Sequence, residues 1–104
     1  MDVQNRTRPV HPGAILARRL DDLDLTIKAF AGELAVPASR VSAILKGRGR
    51  INADTALRLA RYFGTTPEFW VYLQQTYELR VAELEAGEEI NSEVQPRACL
   101  DPSR

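Results

Sequence analysis

The stretch "LTIKAFAGELAVPASRVSAILKG", residues 25–47, holds two short amphipathic patterns joined by about three residues. The first pattern begins at Thr26, a good N-cap, and places Phe30 and Leu34 on one side of a helix. The second pattern has three apolar residues on one side: Val41, Ile44 and Leu45. Because the connector over residues 35–37 is so short, the two helices must cross sharply, as in a helix-turn-helix.

Apolar residues recur at helical spacing on both sides of this stretch, and strand patterns are nearly absent. Before it, "HPGAILARRL" has a proline at a position that suits the first turn of a helix. After it, "NADTALRLARYFG" begins on Asn52 and ends at Gly64, and "TPEFWVYLQQTYELRVAEL" begins on Thr66. The sequence therefore predicts an all-α fold, a compact five-helix bundle that contains a helix-turn-helix.

The length and composition bound the class of protein. A chain of 104 residues has room for one modest core, and 44% hydrophobic with 27% charged residues is typical of a globular protein. No apolar run approaches the roughly 18 residues needed to cross a bilayer, and the N-terminus lacks the apolar core of a secretion signal. The single Cys99 cannot form an internal disulfide. We expect a cytoplasmic protein.

Three regions are predicted along the chain. Residues 1–10 form an N-terminal arm, residues 11–85 form the helix-turn-helix domain with a C-terminal dimerisation helix, and residues 86–104 form a polar tail expected to be flexible. The formal net charge of zero divides unevenly among them. Residues 1–61 contain eleven Lys and Arg and six Asp and Glu, which gives a net charge of +5. Residues 62–104 contain three Lys and Arg and eight Asp and Glu, which gives a net charge of −5. A basic front and an acidic back predict two partners on two surfaces.

The basic front coincides with a face of the third helix that suits DNA. In a helix-turn-helix, the second helix of the pair lies in the major groove and presents its N-terminal part to the bases. On a helical wheel, the side opposite the apolar face carries Ser39, Ser42, Ala43 and Lys46, with Arg40 on its flank. Ala43 could touch a thymine methyl and Arg40 a guanine. Alone, a basic cluster of this size is more often a solvated helix face, but the short turn, the wheel and the caps together favour DNA.

The flanking segments carry a family resemblance over residues 9–83. The phrases "HPGAIL", "RINADTALRLARYFGTTPEFWVYLQ" and "YELRVA" resemble the HigA antitoxin family, also called VapI-like, with a Cro/CI-type (XRE) helix-turn-helix. The resemblance implies a lambda-repressor-like DNA-binding fold. It also implies a homodimer that represses its own operon by binding double-stranded operator DNA and that neutralises a HigB-type ribonuclease toxin. The alternative is a free-standing XRE-type repressor with no toxin partner.

Carried over by position, the family's DNA-facing sites fall on eight residues: Thr26, Lys28, Ala38, Ser39, Arg40, Ser42, Lys46 and Arg48. Arg50 joins them because it lies at the basic exit of the third helix, where the phosphate backbone would run. Two residues depart from the pattern. Ile27 stands where many such proteins have a glutamine, and Pro37 stands where Ser or Thr commonly caps the recognition helix.

Enzymes and pure interaction modules are the other classes considered. The only histidine, His11, has no evident Ser or Cys partner and suits a helix cap or a solvent contact, Cys99 suits an inert thiol, and no metal-binding spacing occurs. We therefore predict no catalytic residues, no metal and no cofactor. An apolar stripe on the last helix predicts either closure of the core, favoured for Trp70, or a dimer contact: Phe69, Trp70, Leu73, Tyr77 and Val81.

The densest acidic run lies near the end of the chain, at Glu83, Glu85, Glu88, Glu89 and Glu93. One interpretation is a toxin-facing segment, because a ribonuclease needs a basic surface to attract RNA and an acidic partner complements it. The other is that the run only keeps a frayed helix end and tail in solution. The sequence leaves both open.

Overall fold

The computed structural model describes residues 9–97 and folds them into five α-helices without a strand. The helices are α1 (Pro12–Leu23), α2 (Ile27–Leu34), α3 (Ala38–Leu45), α4 (Ala53–Phe63) and α5 (Pro67–Glu93). The predicted all-α fold with five helices is confirmed. Cys99, residues 1–8 of the predicted arm and the last seven residues of the predicted tail lie outside the described range.

Four of the five helices begin on a side chain that accepts a hydrogen bond from an N–H of the first turn, at 2.9–3.2 Å: His11, Thr26, Asn52 and Thr66. Such caps contribute about 1 kcal/mol each because they satisfy N–H groups that have no partner inside the helix. The capping role predicted for His11 is thereby confirmed. The exception is α3, which begins on Pro37 without a side-chain cap.

The core lies between α5 and the four shorter helices. Trp70 is fully buried, as predicted, and its indole Nε1 donates a hydrogen bond to Thr65 Oγ1 at 2.8 Å. Phe30 of α2 and Leu59 of α4 are equally buried in the same cluster. α1 crosses α3 so closely that a Cβ on Gly13 would lie 2.0 Å from the carbonyl oxygen of Ile44. Glycine is therefore required at this crossing.

The last helix is longer than the sequence indicates. The aperiodic polar composition predicts a tail from residue 86, yet α5 continues to Glu93. Gly87 does not stop it, because among the described glycines only Gly47 and Gly64, which follow α3 and α4, have the positive φ of a helix end. A single glycine inside a helix costs only about 1 kcal/mol. Its Ala and Glu neighbours are good helix formers.

The extended α5 makes the molecule elongated, with principal extents of 53 × 27 × 24 Å over the described residues. The helix is mostly polar beyond residue 80, and none of its described residues there is buried. In residues 9–97, no helix has both the length and the apolar character that crossing a bilayer demands.

Candidate nucleic-acid interface

The turn between α2 and α3 has the predicted length of three residues, 35–37. Ala35 adopts a left-handed conformation with φ 60°, and the N–H of Val36 donates to the carbonyl of Ala31 at 3.0 Å. From α4, Arg58 Nη1 donates to the carbonyl oxygens of Leu34 at 3.0 Å and Ala35 at 3.3 Å. Arg58 thus binds the carbonyls that end α2, a role that sequence reasoning did not assign.

The exposed side of α3 is the side that the helical wheel predicts. Val41 and Ile44 are buried in the core, whereas Ser39 and Lys46 are exposed on the opposite side. Ala38 and Arg40 are exposed as well, and Ser42 is half-buried. The structure therefore brings the predicted residues of α3 onto one accessible surface.

Ala43 differs from this set because the following loop folds over it. The N–H groups of Arg48 and Gly49 both donate to the carbonyl oxygen of Ala43 at 2.9 Å. A Cβ on Gly49 would lie 3.1 Å from the Ala43 methyl, which is half-buried. The loop thus covers part of the methyl that the sequence suggested for a thymine contact, and it fixes the position of Arg48.

The N-termini of α2 and α3 present N–H groups that no acceptor within residues 9–97 satisfies, on Ile27, Lys28, Ala38 and Ser39. The positive end of a helix dipole together with such N–H groups favours a phosphate. Thr26 Oγ1 accepts from the N–H of Ala29, which leaves its hydroxyl proton available to donate. Because Pro37 supplies no side-chain acceptor, the first turn of α3 stays uncapped and accessible.

The basic residues at the exit of α3 are not equivalent. Within the described chain, Lys46 and Arg48 are exposed and form no ion pair. Arg50 Nε, in contrast, lies 2.8 Å from Glu78 Oε2 on α5. The hydrogen bond from Arg50, reinforced by one from Gln74, lowers the pKa of the Glu78 carboxyl. Glu78 therefore offsets the charge of Arg50, which sets it apart from Lys46 and Arg48.

Arg40 is also paired with an acid. Its Nη1 lies 3.1 Å from Asp54 Oδ2, and the same oxygen lies 2.9 Å from Arg58 Nε. The two guanidinium groups, with Arg58 the stronger partner, lower the pKa of the Asp54 carboxyl. The sequence assigned Asp54 only to the helix dipole. The spacing of four residues between Asp54 and Arg58 could have indicated their pairing, but nothing local indicates the pairing with Arg40.

A buried side chain of α5 holds the loop after α3 in place. Gln74 accepts a hydrogen bond from the N–H of Ile51 at 2.8 Å. The His11 ring packs edge-on against Tyr77 with 4.8 Å between ring centroids. Burial lowers the pKa of His11, so the ring is neutral at pH 7 and its Nδ1 can accept from Gly13. Within residues 9–97, no group of His, Cys, Asp or Glu is placed to hold a metal ion.

The chain is similar to known helix-turn-helix proteins in sequence and in structure. A family model described as helix-turn-helix matches residues 15–70. Virulence-associated protein I of Dichelobacter nodosus is 41% identical over 81 residues, which cover 77% of this chain and 75% of that protein. A solved antidote protein of the HigA family from Coxiella burnetii is 52% identical, with a TM-score of 0.85 over 86% of this chain and 99% of that one. Pseudomonas aeruginosa antitoxin HigA, solved with the higBA promoter, is 41% identical with a TM-score of 0.83 over 86% and 98%.

Proposed function

Because the chain belongs to the HigA family of helix-turn-helix proteins, we propose that it is the DNA-binding antitoxin of a type II toxin–antitoxin pair. It represses its own operon as a dimer and neutralises a HigB-type ribonuclease toxin by direct binding. The observation that carries the proposal is the surface of α3, where an uncapped helix N-terminus, small polar side chains and two cations without an ion pair in residues 9–97 lie together. A relative with this fold was solved with promoter DNA.

The residues of this surface have two roles in the proposal. Lys46 and Arg48 neutralise phosphates, since both are exposed at the exit of α3 and have no acid partner within residues 9–97. Phosphate contacts position the protein and carry no sequence information. Ser39, Arg40 and Ser42 face the base edges of the major groove and select the operator, at about 1–3 kcal/mol of discrimination for each good contact.

Salt titration of DNA binding tests this division. We expect Lys46→Ala and Arg48→Ala to weaken binding to every duplex and to flatten the slope of log K against log salt by about 0.9 each. Arg50→Ala serves as the matched control with a smaller effect, because Glu78 already offsets the charge of Arg50. Gel shifts at several salt concentrations give the slopes. Unchanged DNA binding after alanine replacement of Lys46, Arg48 and Arg50 together would show that the exit of α3 does not contact DNA.

We assign the dimer contact to the outer face of α5. Of the stripe predicted from the sequence, Trp70 is fully buried and Leu73 packs against the core, Tyr77 and Val81 are half-buried, and Phe69 is 38% exposed. Tyr77 contacts His11, and Phe69 stacks edge-on against Trp70. The outer face instead carries a line of apolar side chains at helical spacing, all exposed except the half-buried Ala86: Tyr72, Leu79, Ala82, Ala86 and Ile90. An apolar stripe of this kind suits a second copy of the chain related by a two-fold axis.

We assign the toxin contact to the acidic second half of α5. The five glutamates of the predicted acidic run are all exposed and all helical, and at about 100° per residue they are distributed around α5: Glu83, Glu85, Glu88, Glu89 and Glu93. Arg80 Nη1 lies 3.0 Å from Glu83 Oε1, and the other four have no ion pair within residues 9–97. A basic ribonuclease would be attracted to such a surface, which raises the association rate and selects the partner.

Co-expression with the product of the neighbouring reading frame, followed by co-purification at low and high salt, tests the toxin contact. We expect a complex that weakens as salt rises. A chain truncated at Gly87 should bind the toxin less well, because it lacks three of the five glutamates. A complex of unchanged strength after truncation would move the contact elsewhere. If no complex forms, the free-standing repressor is the correct function.

The proposed function also implies where in the cell the protein acts and that it is not an enzyme. Operon DNA and a toxin that cleaves RNA place the protein in the cytoplasm. A repressor and inhibitor acts by binding and has no catalytic step. The one histidine is consistent with this, since its Nδ1 is engaged by the N–H of Gly13.

A further inference from the structure

One carboxylate oxygen is shared by two arginines from two different helices. We propose that Asp54 and Arg58 form a bracket that positions Arg40 for base reading. Asp54 then helps to set sequence specificity without touching DNA. This inference rests on the proposed DNA-binding function, which it deepens by naming positioning residues outside the recognition helix.

The bracket is anchored to the body of the protein. Asp54 lies in the first turn of α4, directly before the buried Thr55 and Ala56. Arg58 binds Asp54 Oδ2 through Nε at 2.9 Å, and its Nη1 reaches the carbonyls that end α2, Leu34 at 3.0 Å and Ala35 at 3.3 Å. The carboxylate of Asp54 is thus held by a side chain that is itself fixed to the turn of the motif. Arg40 bonds to an acceptor with a defined position.

The bracket leaves Arg40 with the donors that base reading needs. A guanidinium has five N–H donors in a fixed planar fork. Asp54 engages only Nη1 of Arg40, at 3.1 Å, and no acceptor in the described chain engages Nε or Nη2. Two adjacent donors on one edge can bond to O6 and N7 of a guanine. Fixing Nη1 also removes rotamers of a long side chain before DNA binds, so less entropy is lost on binding.

The charges indicate that Asp54 positions Arg40 for DNA and does not keep Arg40 away from DNA. Two guanidinium groups and one carboxylate leave one net positive charge, so the cluster still attracts DNA. Arg58 is nearer to Asp54 than Arg40 is, at 2.9 Å against 3.1 Å, and is the larger cause of the lowered pKa of Asp54. Since the pair with Arg40 is solvent-exposed, its hold on Arg40 is weak enough to orient the side chain without withholding it.

Binding to a set of altered duplexes tests the bracket. The probe is the DNA upstream of the protein's own reading frame, with each base pair replaced in turn. Loss of discrimination in Arg40→Ala identifies the base pair that Arg40 reads, where we expect wild-type discrimination of about 5- to 150-fold. We expect Asp54→Asn to lose at least half of that discrimination on a logarithmic scale at the same base pair. Its affinity for unrelated DNA should stay equal or rise, because a negative charge is removed.

Two matched variants separate positioning from general effects. Glu68→Gln removes an acid from the first turn of α5, where it has no ion pair within residues 9–97, and should leave discrimination unchanged. Arg58→Lys keeps the charge but loses the planar fork, so it should reduce discrimination at the same base pair as Asp54→Asn. If Asp54→Asn does not fold, Arg58→Lys alone decides the matter.

Three results overturn the inference. Discrimination retained in a folded Asp54→Asn shows a purely structural pair. Stronger binding to all duplexes with discrimination retained shows that Asp54 withholds Arg40 from DNA. Both results leave the proposed function intact. A wild-type protein that binds no upstream duplex specifically contradicts the positioning role of Asp54 and the proposed function together.

Discussion

The basic residues that look alike in the sequence have different surroundings in the structure. Arg40 shares Asp54 with Arg58, Arg50 is paired with Glu78, and Lys46 and Arg48 have no acid partner within residues 9–97. Coulomb attraction to DNA depends on the charge that neighbours leave uncompensated. The four residues should therefore contribute differently to affinity, to salt dependence and to sequence preference.

At the same scale, His11 makes the stability of the fold depend on pH. Burial holds the pKa of His11 below its ordinary value of about 6.5, with the hydrogen bond to the Gly49 backbone acting in the opposite direction. As the pH falls through about 6.5, the unfolded chain takes up a proton that the folded chain resists, so the free energy of unfolding decreases. We expect a lower urea midpoint at pH 5.5 than at pH 7.5.

The variant His11→Asn isolates this effect, because asparagine can cap α1 but does not titrate. Its midpoint should be lower overall, since the contact with Tyr77 is lost, but it should change less between pH 7.5 and pH 5.5. Equal pH dependence in the two proteins would show that other groups are responsible.

Gln74 offers a second prediction from a single side chain. It is buried on α5 and accepts the N–H of Ile51 at 2.8 Å, which fixes the loop that carries Arg48 and Arg50. Gln74→Ala leaves that N–H buried without an acceptor, and we expect a loss of about 1–3 kcal/mol in the free energy of unfolding. The neighbouring Gln75 is exposed, so Gln75→Ala should stay within about 0.5 kcal/mol of wild type in urea titrations. A similar loss in both variants would contradict this assignment.

At the scale of the elements, the crossing of α1 over α3 depends on one glycine. A Cβ on Gly13 would approach the carbonyl oxygen of Ile44 to 2.0 Å, and a carbonyl within a helix cannot shift without moving the helix. We expect Gly13→Ala to lower the free energy of unfolding by about 1–3 kcal/mol. Because α3 moves with it, operator affinity should fall as well.

The same exchange on α2 provides the control. Gly32 lies within α2 with nothing within 4 Å of an added Cβ, so Gly32→Ala should raise stability by about 0.5–1 kcal/mol. Thermal or urea denaturation of the two variants compares them directly. Equal stability of Gly13→Ala and wild type would mean that α1 and α3 can move apart without a loss in the free energy of unfolding.

At the scale of the whole molecule, the elongated shape leaves the outer face of α5 without a packing partner among residues 9–97 of the monomer. We expect a two-fold dimer that places the two copies of α3 about 34–36 Å apart, one turn of DNA. Replacing Leu79 and Ile90, both about half exposed on this face, by glutamate should give monomers in sedimentation equilibrium. The control is Leu57→Glu, which alters an exposed leucine on α4 and should leave the dimer intact.

Loss of the dimer should also change how the protein binds DNA. Monomers should bind one half-site weakly and lose the preference for paired half-sites. A double variant that remains dimeric would place the contact on another surface. A wild-type protein that is monomeric both free and on DNA would remove the dimer from the proposed function.

The sequence by itself determined where the helices begin and much of the turn. Thr26, Asn52 and Thr66 cap the helices that they were predicted to begin, and Trp70 lies in the core as predicted. These features depend on contacts within about four residues or on the period of the apolar positions, both of which a linear pattern contains. The same local rules place the face of α3 that carries Ser39 and Lys46.

Only the tertiary structure decided the chemistry around that face. Arg40 meets Asp54 across 14 residues and Arg50 meets Glu78 across 28, because the angles at which α3, α4 and α5 pack bring these side chains together. The packing of α5 also decided that Trp70 and Leu73 of the predicted stripe face the core, whereas Phe69 and Leu79 stay exposed. Crossing angles result from how side chains interlock between helices, and the pattern within one helix does not contain that information.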